Sequence, residues 1–117
     1  MVVGLLSIVS SCAHQIGQIN IENINLRNGA YTPLKAYSQS KLCNVLFTTE
    51  LAKRLNTTDI NAYSLNPGLV NTEITRHAEP SSFIKKYVTL TPEMGSQTTL
   101  YCVLDEQLDN ESGFYYE

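Results

Sequence analysis

Thr32-Pro33-Leu34-Lys35-Ala36-Tyr37-Ser38-Gln39-Ser40-Lys41-Leu42-Cys43-Asn44-Val45-Leu46-Phe47-Thr48-Thr49-Glu50-Leu51-Ala52-Lys53-Arg54-Leu55 decides how the rest of this chain reads. Thr32 followed by Pro33 is an N-cap and first-turn pair, because the threonine oxygen can accept from a free helix N–H that proline does not need. Beyond it, Leu42, Val45, Leu46, Thr49, Ala52 and Leu55 recur every three or four positions. That spacing predicts one apolar stripe on a long helix. Glu50 and Arg54 add an ion pair one turn apart. Asn56-Thr57-Thr58-Asp59 then supplies turn formers to end it.

Upstream, Leu5-Leu6-Ser7-Ile8-Val9-Ser10 is nearly continuous and apolar, which predicts a strand buried on both faces. Residues 11–34 follow with no sustained period, a long stretch for a compact domain and of a kind that often serves function. Downstream, Ile60-Asn61-Ala62-Tyr63-Ser64-Leu65-Asn66 alternates and predicts a second strand, closed by Pro67-Gly68. Thr91-Pro92-Glu93 opens another helix, with Leu100, Val103 and Leu104 expected to face inward. Phe114-Tyr115-Tyr116 predicts a last short strand. Strand, helix, strand, helix, strand calls for a parallel α/β sheet with right-handed crossovers. Parallel sheets need both faces covered, and about three strands with two main helices is a thin version of that architecture. The expectation is therefore the C-terminal half of a doubly wound (Rossmann-type) domain, its N-terminal strands absent from the sequence.

The 117 residues allow one domain, and 43% hydrophobic with 16% charged residues excludes a disordered tail, a coiled coil and a collagen-like chain. A formal charge of −3 with no basic cluster argues against nucleic acid as a partner. Cys12, Cys43 and Cys102 form an odd, scattered set, so reduced thiols in a cytoplasmic or cytosol-facing protein are expected. Cys12 reads as a small buried thiol. Asn56-Thr57-Thr58 and Asn110-Glu111-Ser112 match the glycosylation sequon but read as polar turns. No apolar run reaches the roughly 18–20 residues of a membrane span, and the apolar opening lacks the flanks of a signal peptide. His14 and His77 have no partner at metal-ligand spacing, so no metal site is expected and both read as surface or loop residues.

Chemistry concentrates in Ala36-Tyr37-Ser38-Gln39-Ser40-Lys41. Residues four apart share a helix face, so Tyr37 and Lys41 project side by side. A free phenol titrates near 10, too high for proton exchange at neutrality. A cation about 5 Å away, at an effective dielectric near 20, contributes about 3 kcal/mol and lowers such a phenol by roughly two units. The pair is a workable general acid/base unit. Ser10-Ser11, at the end of the first strand, can offer a hydroxyl to a substrate oxygen where open α/β sheets place their ligands. Taken singly these features are ordinary. Tyr37 and Lys41 could be an exposed helical pair, Ser11 and Pro67-Gly68 turn formers, and Thr72 a helix cap in competition with Asn71.

In one order along the chain, the stretches Ile8-Val9-Ser10-Ser11, Tyr37-Ser38-Gln39-Ser40-Lys41 and Asn66-Pro67-Gly68-Leu69-Val70-Asn71-Thr72 resemble the later half of a short-chain dehydrogenase/reductase. Ser40-Lys41-Leu42-Cys43-Asn44-Val45-Leu46-Phe47, Glu50-Leu51-Ala52-Lys53-Arg54-Leu55 and Thr91-Pro92-Glu93-Met94-Gly95-Ser96-Gln97-Thr98 are similar to its retinol-dehydrogenase-like branch. The 26 positions from Ser11 to Tyr37 also suit that branch. The resemblance covers nearly all of residues 1–117 and implies an NAD- or NADP-dependent oxidoreductase acting on an alcohol/carbonyl pair, retinoid-like or otherwise lipophilic. It implies Tyr37 as catalytic acid/base, Lys41 as its partner and a ligand of the nicotinamide ribose, and Ser11, ahead of Ser10, as the group orienting the substrate oxygen. Pro67 and Gly68 would wall the nicotinamide and Thr72 would bind its carboxamide. Residues 79–90, with Phe83, Ile84, Tyr87 and Val88, stand where the family has its substrate lid; a plain amphipathic helix fits that pattern almost as well.

The family's glycine-rich cofactor turn, its Asn-Asn-Ala-Gly segment and its catalytic asparagine have no counterpart in this sequence. Binding of the dinucleotide by these residues alone is therefore in question. A rival expectation follows, of a catalytically inactive remnant that self-associates through an uncovered strand edge.

Overall fold

The computed structural model describes residues 2–70 and 89–117. Its elements are β1 (Gly4–Val9), α1 (Pro33–Arg54), β2 (Ile60–Leu65), α2 (Pro92–Gly95), α3 (Gln97–Leu104) and β3 (Tyr115–Tyr116). Short 3-10 turns occupy Cys12–Ile16, within the stretch expected to lack regular structure, and Glu106–Asn110. The strands form one parallel sheet in the order β1-β2-β3. Gly4 pairs with Ile60 through to Val9 with Leu65, and Ser64 and Leu65 pair with Tyr115 and Tyr116. This is the partial doubly wound α/β architecture expected from the sequence.

The central position of β2 governs its burial. Ala62, Tyr63, Ser64 and Leu65 are all buried, so the alternation read from the sequence does not correspond to one wet face. Successive side chains point to opposite faces. Tyr63 and Leu65 meet Cys102 of α3 and Leu108 in the apolar core, with Leu5 and Tyr116 packed around them. Burying two such large side chains contributes about 2–3 kcal/mol each. The small Ala62 and Ser64 occupy the other face, against which α1 packs.

β1 has β2 as its one partner strand among the described residues. Leu6 and Val9 are exposed, which corrects the expectation of a strand buried on both faces. Phe114 likewise stays outside β3 and exposed.

α1 starts as predicted, with Thr32 Oγ1 accepting from the Lys35 N–H at 3.2 Å and Pro33 in the first turn. The Glu50–Arg54 pair closes at 2.9 Å. The buried face, however, is carried by Ser38, Gln39, Thr48 and Ala52, while Leu46 and Phe47 are exposed. Polar residues survive there because their hydrogen bonds are met: Thr48 Oγ1 donates to the Asn44 carbonyl at 2.8 Å, one turn back, and the Gln39 amide bonds Asn20 and Ile24 of the preceding stretch.

Thr91 caps α2 through the Met94 N–H, and the chain breaks at Ser96 before α3. Leu100, Val103 and Leu104 point outward, contrary to expectation; Gly95 and Cys102 are the buried positions of these two helices. Among the described residues no helix is long and apolar enough to cross a membrane.

Candidate active site

The C-terminal ends of β1 and β2 bring Ser10, Ser11, Pro67 and Gly68 to one rim of the sheet. Ser10 N–H donates to the Leu65 carbonyl at 2.6 Å, continuing the β1–β2 pairing past Val9. Pro67 and Gly68 follow directly on β2, and Ser11 directly on Ser10. Gly68 takes a φ of +82°, a conformation that favours glycine, and its N–H donates to Asn66 Oδ1 at 3.1 Å.

Helix α1 delivers the phenol and the cation together. Lys41 Nζ lies 5.5 Å from the centre of the Tyr37 ring, within cation–π range. Tyr37 is 47% exposed, so its ring lies against the cation on one side and is open to solvent. The ammonium also donates to the Val9 carbonyl at 3.3 Å. Lysine carries three N–H donors, and the described residues engage one of them by hydrogen bonding, which leaves capacity for a hydroxyl.

Two further side chains fasten α1 to the end of β1. Ser10, 2% exposed, donates its hydroxyl to the Lys41 main-chain carbonyl at 2.8 Å. Asn44 Nδ2 donates to the Val9 carbonyl at 3.0 Å, sharing that acceptor with Lys41. Neither fastening was identified from the sequence. Asn44 stands three residues after Lys41, hence on the same helix face, and that spacing was the available signal.

Ser11 differs from its neighbour. Its backbone is extended and its side chain caps the 3-10 turn, Oγ accepting from the Ala13 N–H at 3.2 Å. An accepting hydroxyl keeps its own proton free to donate, so of the two serines Ser11 is the one free to hold a substrate oxygen. His14 Nδ1 lies 2.7 Å from the Ser11 carbonyl. A carbonyl can only accept, so Nδ1 is the protonated nitrogen. The imidazole meets Tyr115 edge-on with centroids 4.6 Å apart, which makes His14 a packed residue that joins this turn to β3. Cys12 is exposed, correcting its reading as a buried thiol: the 3-10 turn carries it outward.

Thr72, its rival Asn71, His77 and the expected lid through residue 88 lie outside the described residues. Among the described residues no group of three His, Cys, Asp or Glu side chains could hold a metal. A cavity of about 650 Å³ opens at the other end of the sheet, between Lys53, Asn56, Asn61 and Phe114, and takes none of the predicted site residues into its wall.

No family model matches the chain. Human retinol dehydrogenase 11 is 40% identical over 114 residues, and human retinol dehydrogenase 12 is 41% identical over 116. Each alignment covers 92% of this chain and 35% of the relative, so the chain spans about a third of the length of the curated relatives it matches. Among solved structures, an uncharacterised protein from Mycobacterium paratuberculosis superposes with a TM-score of 0.62 at 37% identity, over 84% of this chain and 32% of that one. A short chain dehydrogenase from Salmonella enterica serovar Typhi shares the fold at a TM-score of 0.71 and 19% identity, over 98% of this chain and 41% of that one. Over the stretch it has in common with these relatives, the chain is similar in sequence to retinol dehydrogenases and shares the fold of a short chain dehydrogenase.

Proposed function

We propose that this chain carries the reaction end of an NAD(P)-dependent oxidoreductase acting on a lipophilic alcohol/carbonyl pair, a retinoid among the candidates. The observation that carries the reading is the Tyr37–Lys41 pair at the rim, 5.5 Å from ring centre to ammonium and fastened to the strand that presents Ser11. In the reducing direction Ser11 donates a hydrogen bond to the substrate carbonyl oxygen and Tyr37 gives it a proton; in the oxidising direction Tyr37 takes the proton back. Lys41 places its ammonium against the ring that exchanges the proton.

The residues present fit the nicotinamide end of a dinucleotide. Lys41 has donors to spare for ribose hydroxyls, and Gly68, at a φ of +82° and with Leu90 packed where a Cβ would stand, turns the chain at the end of β2. Pro67 and Thr72 are assigned to the same end by family resemblance. The nicotinamide, when bound, supplies or accepts the hydride. Three free thiols suit a reducing, cytosol-facing location.

Titration calorimetry with NADH and NADPH tests the reading together with Tyr37→Phe. Stoichiometric binding is expected, with turnover of the full protein reduced by about 10²–10⁴-fold in the variant and its fold unchanged. Wild-type turnover by Tyr37→Phe would remove the acid/base assignment.

A second reading rests on β1, whose neighbourhood exposes Val3, Leu6 and Val9. A catalytically inactive chain could pair this edge with a second copy. A well-folded sample that binds neither nucleotide and elutes as a dimer would favour it; a monomer at high concentration would remove it.

A further inference from the structure

Asn28-Gly29 is the one place in the sequence where glycine follows asparagine. Both residues are exposed. They take φ of +58° and +79°, and they fill the two central positions of a turn closed by the Ala30 N–H on the Arg27 carbonyl at 3.3 Å. Positive φ at both centres is the turn that asparagine followed by glycine favours.

The base of that turn is held and its tip is free. Asn23 grips Arg27 from both sides, its Oδ1 accepting from the Arg27 N–H and its Nδ2 donating to the Arg27 carbonyl, each at 2.9 Å. The Leu26 N–H donates to the Asn23 carbonyl, also at 2.9 Å. Neither the Asn28 amide nor the Gly29 N–H has a hydrogen-bond partner among the described residues. Nothing stands within 4 Å of where a Gly29 Cβ would be. An asparagine Cγ is electrophilic, and the next backbone nitrogen can close a five-membered ring on it; glycine puts no side chain in the way.

Other exposed asparagines mark the difference. Asn25, Asn56 and Asn110 also lack a side-chain hydrogen bond among the described residues. The nitrogens that follow Asn25 and Asn110 are engaged, however, Leu26 with Asn23 and Glu111 with the Leu108 carbonyl at 2.8 Å. The nitrogen after Asn56 carries the branched side chain of Thr57, which crowds the approach.

We propose that Asn28 is a site of spontaneous covalent modification, deamidation through a cyclic imide with Gly29. The Gly29 nitrogen bonds to Asn28 Cγ, the Cγ–Nδ2 bond breaks, and the proton given up by Gly29 leaves with the amide as ammonia. Water then opens the imide, at Cγ to give aspartate or at the main-chain carbonyl to give isoaspartate. Either product adds one negative charge to the formal −3 of the chain. The isoaspartyl form also adds a carbon to the backbone between Arg27 and Ala30, in the stretch that leads from Ser11 into α1. None of this depends on the oxidoreductase reading.

The test is incubation of the folded chain near neutral pH, with a parallel sample in urea, followed by isoelectric focusing and peptide mass mapping. A more acidic band is expected, with ammonia lost and water gained at Asn28 at least about tenfold faster than at Asn25, Asn56 or Asn110. Because the tip of the turn opens at almost no cost, the folded chain should react within about threefold of the urea-unfolded rate. Gly29→Ala should slow the reaction at least about tenfold, through its methyl group and its poor fit to positive φ. Should that variant fail to fold, Asn28→Gln serves, since its imide needs a larger ring, and the acidic band should vanish. Faster reaction at any of the other asparagines overturns the proposal. So does an Asn28 that stays intact in the folded chain while the urea sample reacts, or an acidic band that persists in Asn28→Gln.

Discussion

Tyr37 and Tyr63 are the same side chain in opposite circumstances. Tyr37 is 47% exposed beside an ammonium, with no hydrogen bond to its hydroxyl among the described residues. Tyr63 is 1% exposed; its hydroxyl donates to the Leu108 carbonyl at 2.6 Å and accepts from Asn61 Nδ2 at 2.9 Å. A phenol that must exchange protons needs an open face and a cation. A phenol that must hold a core together needs its hydrogen bonds closed and its charge suppressed. Burial pushes Tyr63 above its ordinary titration range, against the pull of the Asn61 amide. The difference teaches that burial and bonding, not residue type, separate the chemistry of this fold from its scaffold.

Exchanging the two losses is the strongest way to break that contrast. Tyr37→Phe should cost turnover by the factor given above and leave the urea midpoint unchanged. Tyr63→Phe should do the reverse, removing two buried hydrogen bonds, to the Leu108 carbonyl and from the Asn61 amide, and costing about 1–2 kcal/mol of stability. Equal loss of stability in both variants would show that the exposed phenol is also structural.

Alkaline titration sharpens the same contrast with a smaller effect for each group. Burial raises Tyr115 and Tyr116, and the carboxylates of Glu117 and Glu111 hydrogen-bonded to them raise them further. Burial also raises Cys102. In each case the fold favours the neutral form, so the folded value exceeds the unfolded one. Their stabilisation is complete below the ordinary values of 9.0 for the thiol and 10.0 for the phenols, and is lost as pH rises through the folded values. Urea midpoints should therefore fall above pH 9, first through Cys102 and then through Tyr63, Tyr115 and Tyr116. A midpoint flat from pH 7 to 11 would contradict the burial.

Much of this was legible in the sequence because local rules acted alone. Thr32-Pro33 starts a helix without tertiary help, and a four-residue spacing puts Tyr37 beside Lys41 in any helix. The buried face of α1 was not legible, because Thr48 and Gln39 are admitted by hydrogen bonds that hydrophobic periodicity ignores. Leu100, Val103 and Leu104 misled for the converse reason: apolar residues at helical spacing mark a face but do not say that anything described covers it. Ser10 and Ser11 are chemically identical neighbours. Strand alternation sends the first into the interface with α1, while the turn leaves the second free, and only the register of β1 on β2 decides which is which.

Ser7 and Ser10 extend the argument to one residue type on one stretch of chain, with the smallest effect. Ser10 Oγ has the Lys41 carbonyl as its acceptor. Ser7, opposite Tyr63 in the register, has a buried Oγ without a hydrogen-bond partner among the described residues. A buried hydroxyl left unpaired loses its water without compensation, whereas a paired one recovers that cost. Ser7→Ala should consequently be neutral or stabilising by about 1 kcal/mol, and Ser10→Ala destabilising by about the same amount, since it removes the hydrogen bond that fastens the end of β1 to the Tyr37–Lys41 turn. Urea unfolding of the two variants reads the sign directly. If Ser7→Ala lost as much as Ser10→Ala, the Ser7 hydroxyl would have a partner after all, and the pairing of side-chain hydroxyls could not be what separates the fastened end of β1 from its middle.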